Sequence, residues 1–144
     1  MPDLRPKPRV LIVDDERIIA DTLALIMRSL GFESTAVYSG EAALEAAEQL
    51  LPDVLISDVI MGEMSGIEAA ICISKTLPQC KIILFSGQAA TSDLISQAGL
   101  DVYRFEVLTK PVHPEVLVDR VRSLAPIAPD RVTCRADYDS AIGY

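Results

Sequence analysis

Carboxylates stand behind two apolar runs of this chain in an uncommon arrangement. Asp14, Asp15 and Glu16 follow directly on Val10-Leu11-Ile12-Val13, and Asp58 follows Val54-Leu55-Ile56-Ser57. Ser86-Gly87 comes straight after Ile82-Ile83-Leu84-Phe85, and Lys110-Pro111 comes after a less regular run around Phe105 to Leu108. Brought together, Asp14, Asp15 and Asp58 would supply three carboxylates, Ser86 a hydroxyl and Lys110 an ammonium. Clustered carboxylates repel one another, and a divalent cation relieves the repulsion. Mg²⁺ suits such a set, because it takes oxygen ligands in an octahedron at ~2.0–2.1 Å and keeps several waters, so that two carboxylates and a carbonyl suffice. With that charge in place a carboxylate can act as a nucleophile towards phosphorus, the transferring oxygens being neutralised by the ion and by Lys110 and hydrogen-bonded by Ser86. Asp58 is the expected nucleophile.

This chemistry requires the segments to lie side by side, and the pattern between them predicts that they do. Short apolar runs alternate with helical periodicity from residue 9 to residue 124, the mark of a parallel sheet covered by helices on both faces. Strands are expected at Val10–Val13, Ser34–Val37, Val54–Ser57, Ile82–Phe85 and Phe105–Leu108. The first four are continuously apolar or β-branched, as doubly covered strands are; Glu106 interrupts the fifth and points to an edge. Ile19, Leu23, Ile26 and Leu30 form one stripe of a first helix that Gly31 can end. Ser39 can cap a second helix, in which Leu44, Ala47 and Leu51 share a face before Pro52. A third is expected from Ser65 to Leu77 and a fourth from Thr91 to Ala98. The last starts at Pro114-Glu115, buries Leu117, Val121 and Leu124, and stops before Pro126. Right-handed crossovers then bring all the strand ends to one edge of the sheet, where open α/β sheets bind ligands.

Composition excludes several other classes. At 144 residues the chain has room for one ordinary domain, placed here at residues 8–124, and residues 125–144 are expected to be a flexible tail with no output domain. Thirteen Lys and Arg against 21 Asp and Glu give a net charge of -8, which disfavours direct binding to nucleic acid. No apolar run approaches the ~20 residues of a membrane span, and the Pro-rich, charged N-terminus lacks a secretory pattern, so a soluble cytoplasmic protein is expected. Cys72, Cys80 and Cys134 are too widely spaced for a zinc or dithiol motif and are expected to be free thiols.

Taken in order, Val10-Leu11-Ile12-Val13-Asp14-Asp15-Glu16, Asp58-Val59-Ile60-Met61-Gly62-Glu63-Met64-Ser65-Gly66, Phe85-Ser86-Gly87 and Lys110-Pro111 resemble the receiver domain of response regulators from two-component signalling, over about residues 8 to 124. The resemblance implies a flavodoxin-like, doubly wound sheet of five parallel strands in the order 2-1-3-4-5. It also implies a Mg²⁺ site made by the side chains of Asp15 and Asp58 and the backbone carbonyl of Ile60, with Asp14 acting mainly through water. The phosphoryl donor would be a phosphohistidine on a sensor histidine kinase or histidine phosphotransfer protein. Phosphorylation would draw Ser86 towards the new group and reshape a surface that binds an unknown downstream protein. The chain would thus be a stand-alone signalling module, monomeric or weakly dimeric, rather than an enzyme acting on outside substrates.

Some positions depart from the family pattern. Gly62 stands where a proline usually follows the methionine, and Val107 stands where the family has its aromatic switch residue. Ile60 and Gln88 occupy the places that flank the path of hydrolytic water, and an apolar Ile60 implies a long-lived phosphorylated form. Two rival functions fit less well. Mg²⁺-dependent phosphohydrolases need an acid/base carboxylate two residues after the nucleophile, where Ile60 stands. A flavodoxin-like cofactor binder would need a phosphate-cradling loop after the first strand, where Asp14-Asp15-Glu16 repel phosphate. The sole histidine, His113, is expected at the start of the last helix rather than in the chemistry.

Overall fold

The computed structural model describes residues 7–59, 65–86, 105–110 and 112–124, apart from the side chains of Ser86 and Thr109. In chain order the elements are β1 (Arg9–Val13), α1 (Arg17–Ser29), β2 (Glu33–Val37), α2 (Gly40–Leu50), β3 (Val54–Asp58), α3 (Gly66–Thr76), β4 (Lys81–Ser86), β5 (Glu106–Thr109) and α4 (Pro114–Leu124). All strand pairs are parallel, in the order β2-β1-β3-β4-β5, as expected. The helix expected at Thr91–Ala98, the tail from residue 125 and Cys134 lie outside the described residues.

Period-two alternation along each strand divides the core into two layers. Val10, Ile12, Val54, Ile56, Ile83 and Phe85 face one side, under Ala20, Ala24 and Met27 of α1 and Leu117, Val118 and Val121 of α4. Leu11, Val13, Leu55, Ile82 and Leu84 face the other, under Ala43 and Ala47 of α2 and Ala70 and Ile73 of α3. Each of the crossovers through α1, α2 and α3 therefore lays its helix on a face that the strand runs had already made apolar.

Helix ends follow local chemistry. The Ser39 and Ser65 hydroxyls accept from the amides of Ala42 and Glu68, each at 3.1 Å, satisfying first-turn donors of α2 and α3. Gly31, at φ 98°, takes the chain out of α1. Two expected helix faces need correction. On α1 the deepest residues are Ala20, Ala24 and Met27, while Leu30 is 42 % exposed, because it is the C-cap, where the chain leaves the helix. Leu51 does not continue the buried face of α2. It leaves the helix at φ 50°, since Pro52 disfavours helical backbone at the residue before it, and its side chain is exposed.

The edge position expected for the fifth strand is observed, and its charge is accounted for. Glu106 receives Arg120 of α4 through two hydrogen bonds, Nε to Oε2 at 2.7 Å and Nη2 to Oε1. This pair ties the outer strand to the last helix. Cys80 is buried just before β4, where desolvation pushes its thiol up to about 12, and Cys72 is exposed on α3. No helix among the described residues is long and apolar enough to cross a membrane.

Candidate functional site

The chain reverses its winding direction between β1 and β3. From β1 it crosses outward to β2, and from β3 it proceeds to β4 and β5 on the other side, so the carboxyl ends of β1 and β3 flank the crevice where open sheets of this kind take ligands. Asp14 and Asp15 emerge from β1 at this point and Asp58 is the last residue of β3. Carboxylate oxygens of all three lie within 4.8 Å of one another. Lys110, directly after β5, reaches back across β4 and places Nζ 3.1 Å from Oδ2 of Asp58. Its ammonium also stands 5.7 Å from the centre of the ring of Phe85, on β4 between β3 and β5.

Burial gives the cluster its electrostatic character. Asp14 and Asp58 are buried, whereas Asp15 is exposed. Oδ1 of Asp14 accepts the Glu16 amide at 2.9 Å, but its buried Oδ2 has no partner among the described residues. Burial raises the Asp14 carboxyl above its ordinary value; the Glu16 amide opposes this, Asp58 adds to it, Lys110 opposes it, and Asp15 adds to it. An orphaned, buried carboxylate oxygen beside two further carboxylates is a donor set short of positive charge. One ammonium does not balance three carboxylates, and a hard divalent cation with oxygen ligands fits the deficit. The cluster lies at the carboxyl-terminal edge of the sheet. A cavity of about 200 Å³ lined by Arg9, Glu33, Thr35, Gln49 and Pro52 opens instead at the opposite, amino-terminal edge, away from every one of these groups.

The structure thus brings together Asp14, Asp15, Asp58 and Lys110. The main chain of Ser86 ends β4 beside Thr109 of β5, at the same edge. Ile60, Gln88 and the Ser86 hydroxyl lie outside the described residues. His113 stays apart from the cluster, accepting the Glu115 amide at Nδ1 over 3.4 Å at the start of α4, as expected.

Two residues to which the sequence reading gave no role stand against the Asp58 main chain. The Ser57 hydroxyl donates to the Asp58 carbonyl at 3.0 Å, and a Cβ on Gly66 would fall 1.8 Å from that same carbonyl oxygen. A glycine in the first turn of α3, where most residues propagate a helix better, was the available signal. Further out, the Tyr38 hydroxyl donates to Asp21 at 2.6 Å, with the Arg17 guanidinium 4.2 Å above its ring.

Comparison with known proteins decides the family. The sequence model of the response regulator receiver domain matches residues 10–122. The chain belongs to this family. Among curated relatives, the receiver is 33% identical over 115 residues to a probable transcriptional regulatory protein, TcrX, of Mycobacterium tuberculosis, covering 80% of this chain and 48% of that protein. It is 30% identical over 118 residues to the DNA-binding response regulator MtrA of Mycobacterium leprae, covering 81% of this chain and 51% of that one. The receiver therefore spans about half the length of the curated relatives it matches. A CheY-like receiver domain protein of Methanospirillum hungatei superposes with a TM-score of 0.74 at 26% identity, over 81% of this chain and 92% of that one. The response regulator TrrA of Thermotoga maritima, solved in complex with Mg²⁺-BeF, superposes with a TM-score of 0.70 at 31% identity, over 81% and 98%.

Proposed function

We propose that this receiver accepts a phosphoryl group on Asp58 from a phosphohistidine of a sensor histidine kinase or histidine phosphotransfer protein, and that the modified domain switches a protein-binding surface. The observation that supports the reading is the convergence of Asp14, Asp15 and Asp58 within 4.8 Å, with Lys110 on the Asp58 carboxylate. A carboxylate oxygen of Asp58 attacks phosphorus; an O–P bond forms while the bond from phosphorus to the donor's imidazole nitrogen breaks, its electron pair staying with the imidazole. Lys110, already paired with Asp58, faces the charge that gathers on the phosphoryl oxygens. Asp15, Asp58 and the Ile60 carbonyl would hold Mg²⁺, with Asp14 acting mainly through water, and the ion would supply the remaining neutralisation. Ser86, at the end of β4, is the proposed hydroxyl partner of the transferred group.

The TrrA complex with Mg²⁺-BeF supports the choice of ion by likeness. The switch, in this reading, runs through β5 and α4 without an aromatic at the usual position, since Val107 is there and is exposed.

The deciding test is intact-mass spectrometry after incubation with acetyl phosphate. A Mg²⁺-dependent gain of one phosphoryl group on the wild type, and none on Asp58→Asn, is expected. Labelling of Asp58→Asn to the same extent would place the acceptor elsewhere and overturn the assignment.

A further inference from the structure

A nucleophile needs its carboxylate aimed as well as charged, and the aim of Asp58 is set by its main chain. Asp58 is the last residue of β3, so beyond it the regular ladder no longer fixes the backbone. Three contacts take over. The Val59 amide donates to the Phe85 carbonyl of β4 at 3.0 Å, and the Gly66 amide donates to the Val59 carbonyl at 2.9 Å, closing the loop that leaves the site. The third contact is at Asp58 itself. Strand alternation turns Ser57 away from the acid cluster, to the face covered by α3, where it is fully buried and its hydroxyl meets the Asp58 carbonyl at 3.0 Å.

The first turn of α3 closes on that same point. A Cβ at Gly66 would lie 1.8 Å from the Asp58 carbonyl oxygen, 2.8 Å from its carbon and 2.8 Å from the Ser57 Oγ. Backbone cannot yield as a flexible side-chain tip would, so a methyl group at this position must displace either α3 or the Asp58 peptide. The glycine is not demanded by its own conformation, since positive φ values among the described residues belong to Leu51 and Gly31. It is demanded by the space beside Asp58.

We infer that Ser57 and Gly66 are positioning residues for the phosphoacceptor: from the face opposite the acid cluster they clamp the Asp58 carbonyl and so hold its carboxylate in register with Lys110 and the cation site. The inference rests on the phosphoacceptor reading of Asp58, but it concerns the aim of the carboxylate and has a readout that needs no phosphoryl transfer.

The experiment compares wild type, Ser57→Ala and Gly66→Ala in two assays, each at a temperature where circular dichroism shows the variant folded. One is the acetyl phosphate labelling rate at saturating Mg²⁺; the other is the dissociation constant for Mg²⁺ alone, by calorimetry. Ser57→Ala is expected to slow labelling and to weaken Mg²⁺ binding, each on the order of fivefold, which is the loss of about 1 kcal/mol of hydrogen bonding. Gly66→Ala is expected to lose more in both. Should Gly66→Ala fail to fold, Ser57→Ala, which removes a single hydroxyl, carries the test. Lower melting temperature with both values at the wild-type level would show that these residues serve the fold alone, and would overturn the inference. If wild type takes no phosphoryl group, the proposed function fails, while the Mg²⁺ comparison still decides whether the clamp aims Asp58.

Discussion

Lys110 and Asp58 meet across an intervening strand, Nζ to Oδ2 at 3.1 Å, although they leave β5 and β3, which are not neighbours in the sheet. The ring of Phe85, on the intervening β4, lies 5.7 Å from the ammonium. The pair is mostly buried, so the interaction is screened less than a surface salt bridge. Its chemical consequence is that one positive charge is fixed beside the Asp58 carboxylate.

Lys110→Met should therefore retain the fold while slowing phosphorylation. Removing a single preorganised charge or donor from a transition state costs about 10²–10³-fold where such losses have been measured, and a rate about 10²-fold down is expected in the acetyl phosphate assay. Lys110→Arg keeps the charge but spreads it over a planar fork, and should recover part of the rate. A Lys110→Met protein labelled as fast as wild type would remove Lys110 from the chemistry.

Much of this arrangement was legible in the residues because each carboxylate or cation directly follows an apolar run, and parallel topology does the rest. The strands were readable for the same reason: β1, β3 and β4 are covered on both faces, and residues 10–13, 54–56 and 82–85 within them are apolar without interruption. Helix faces were harder. Large residues dominate a periodicity, and the stripe Ile19, Leu23, Ile26, Leu30 describes the flank of α1, while its closest approach to the sheet is made by Ala20 and Ala24, whose smallness carries no signal. Leu51 looked like a buried position until Pro52 turned it outward. Ser57 was silent, and Gly66 stood in the motif without its reason, because what constrains them is a contact between the end of β3 and the start of α3, which no local pattern encodes.

The alanines of α1 give a stability contrast. Ala24 is fully buried against the sheet and Leu25, beside it in sequence, is 61% exposed. Ala24→Leu forces four carbons into less space than they need and should destabilise by about 1–3 kcal/mol. Leu25→Ala removes more apolar surface from the chain yet should change stability by no more than about 0.5 kcal/mol. Urea unfolding midpoints measure both. The reverse order would mean that the α1 face has been assigned wrongly.

Under the proposed function, Ile60 would bear on the lifetime of the phosphorylated protein. The family resemblance places it beside the path of hydrolytic water, and an isoleucine offers that water neither donor nor acceptor. Ile60→Asn should shorten the lifetime of the phosphorylated protein, by about tenfold if one hydrogen bond to the water is gained in the transition state. The decay of the phosphorylated mass after removal of acetyl phosphate gives the rate directly. An unchanged decay would exclude Ile60 as the cause of a long lifetime.

Asp14 carries the electrostatic cost of the cluster. Burial is the main reason its carboxyl lies above the ordinary value, so the folded protein holds this proton more tightly than the unfolded chain does. Its contribution is thus most favourable in acid, below the unfolded carboxyl value, and is lost as pH rises through that value to the raised one. At pH 7 the whole cost is present. Asp14→Asn removes the charge and should melt higher than wild type at pH 7 in the presence of a chelator, with the difference shrinking as the pH is lowered into the acid range. Mg²⁺ should act in the opposite sense. At ten times its dissociation constant it stabilises wild type by about 1.4 kcal/mol, and the gain should be smaller in Asp14→Asn, where less charge awaits it. Melting curves at two pH values, with and without Mg²⁺, test both halves. An Asn variant that melts lower than wild type at pH 7 without the ion would show that Asp14 stabilises the fold through its bond to the Glu16 amide, and that its burial costs nothing.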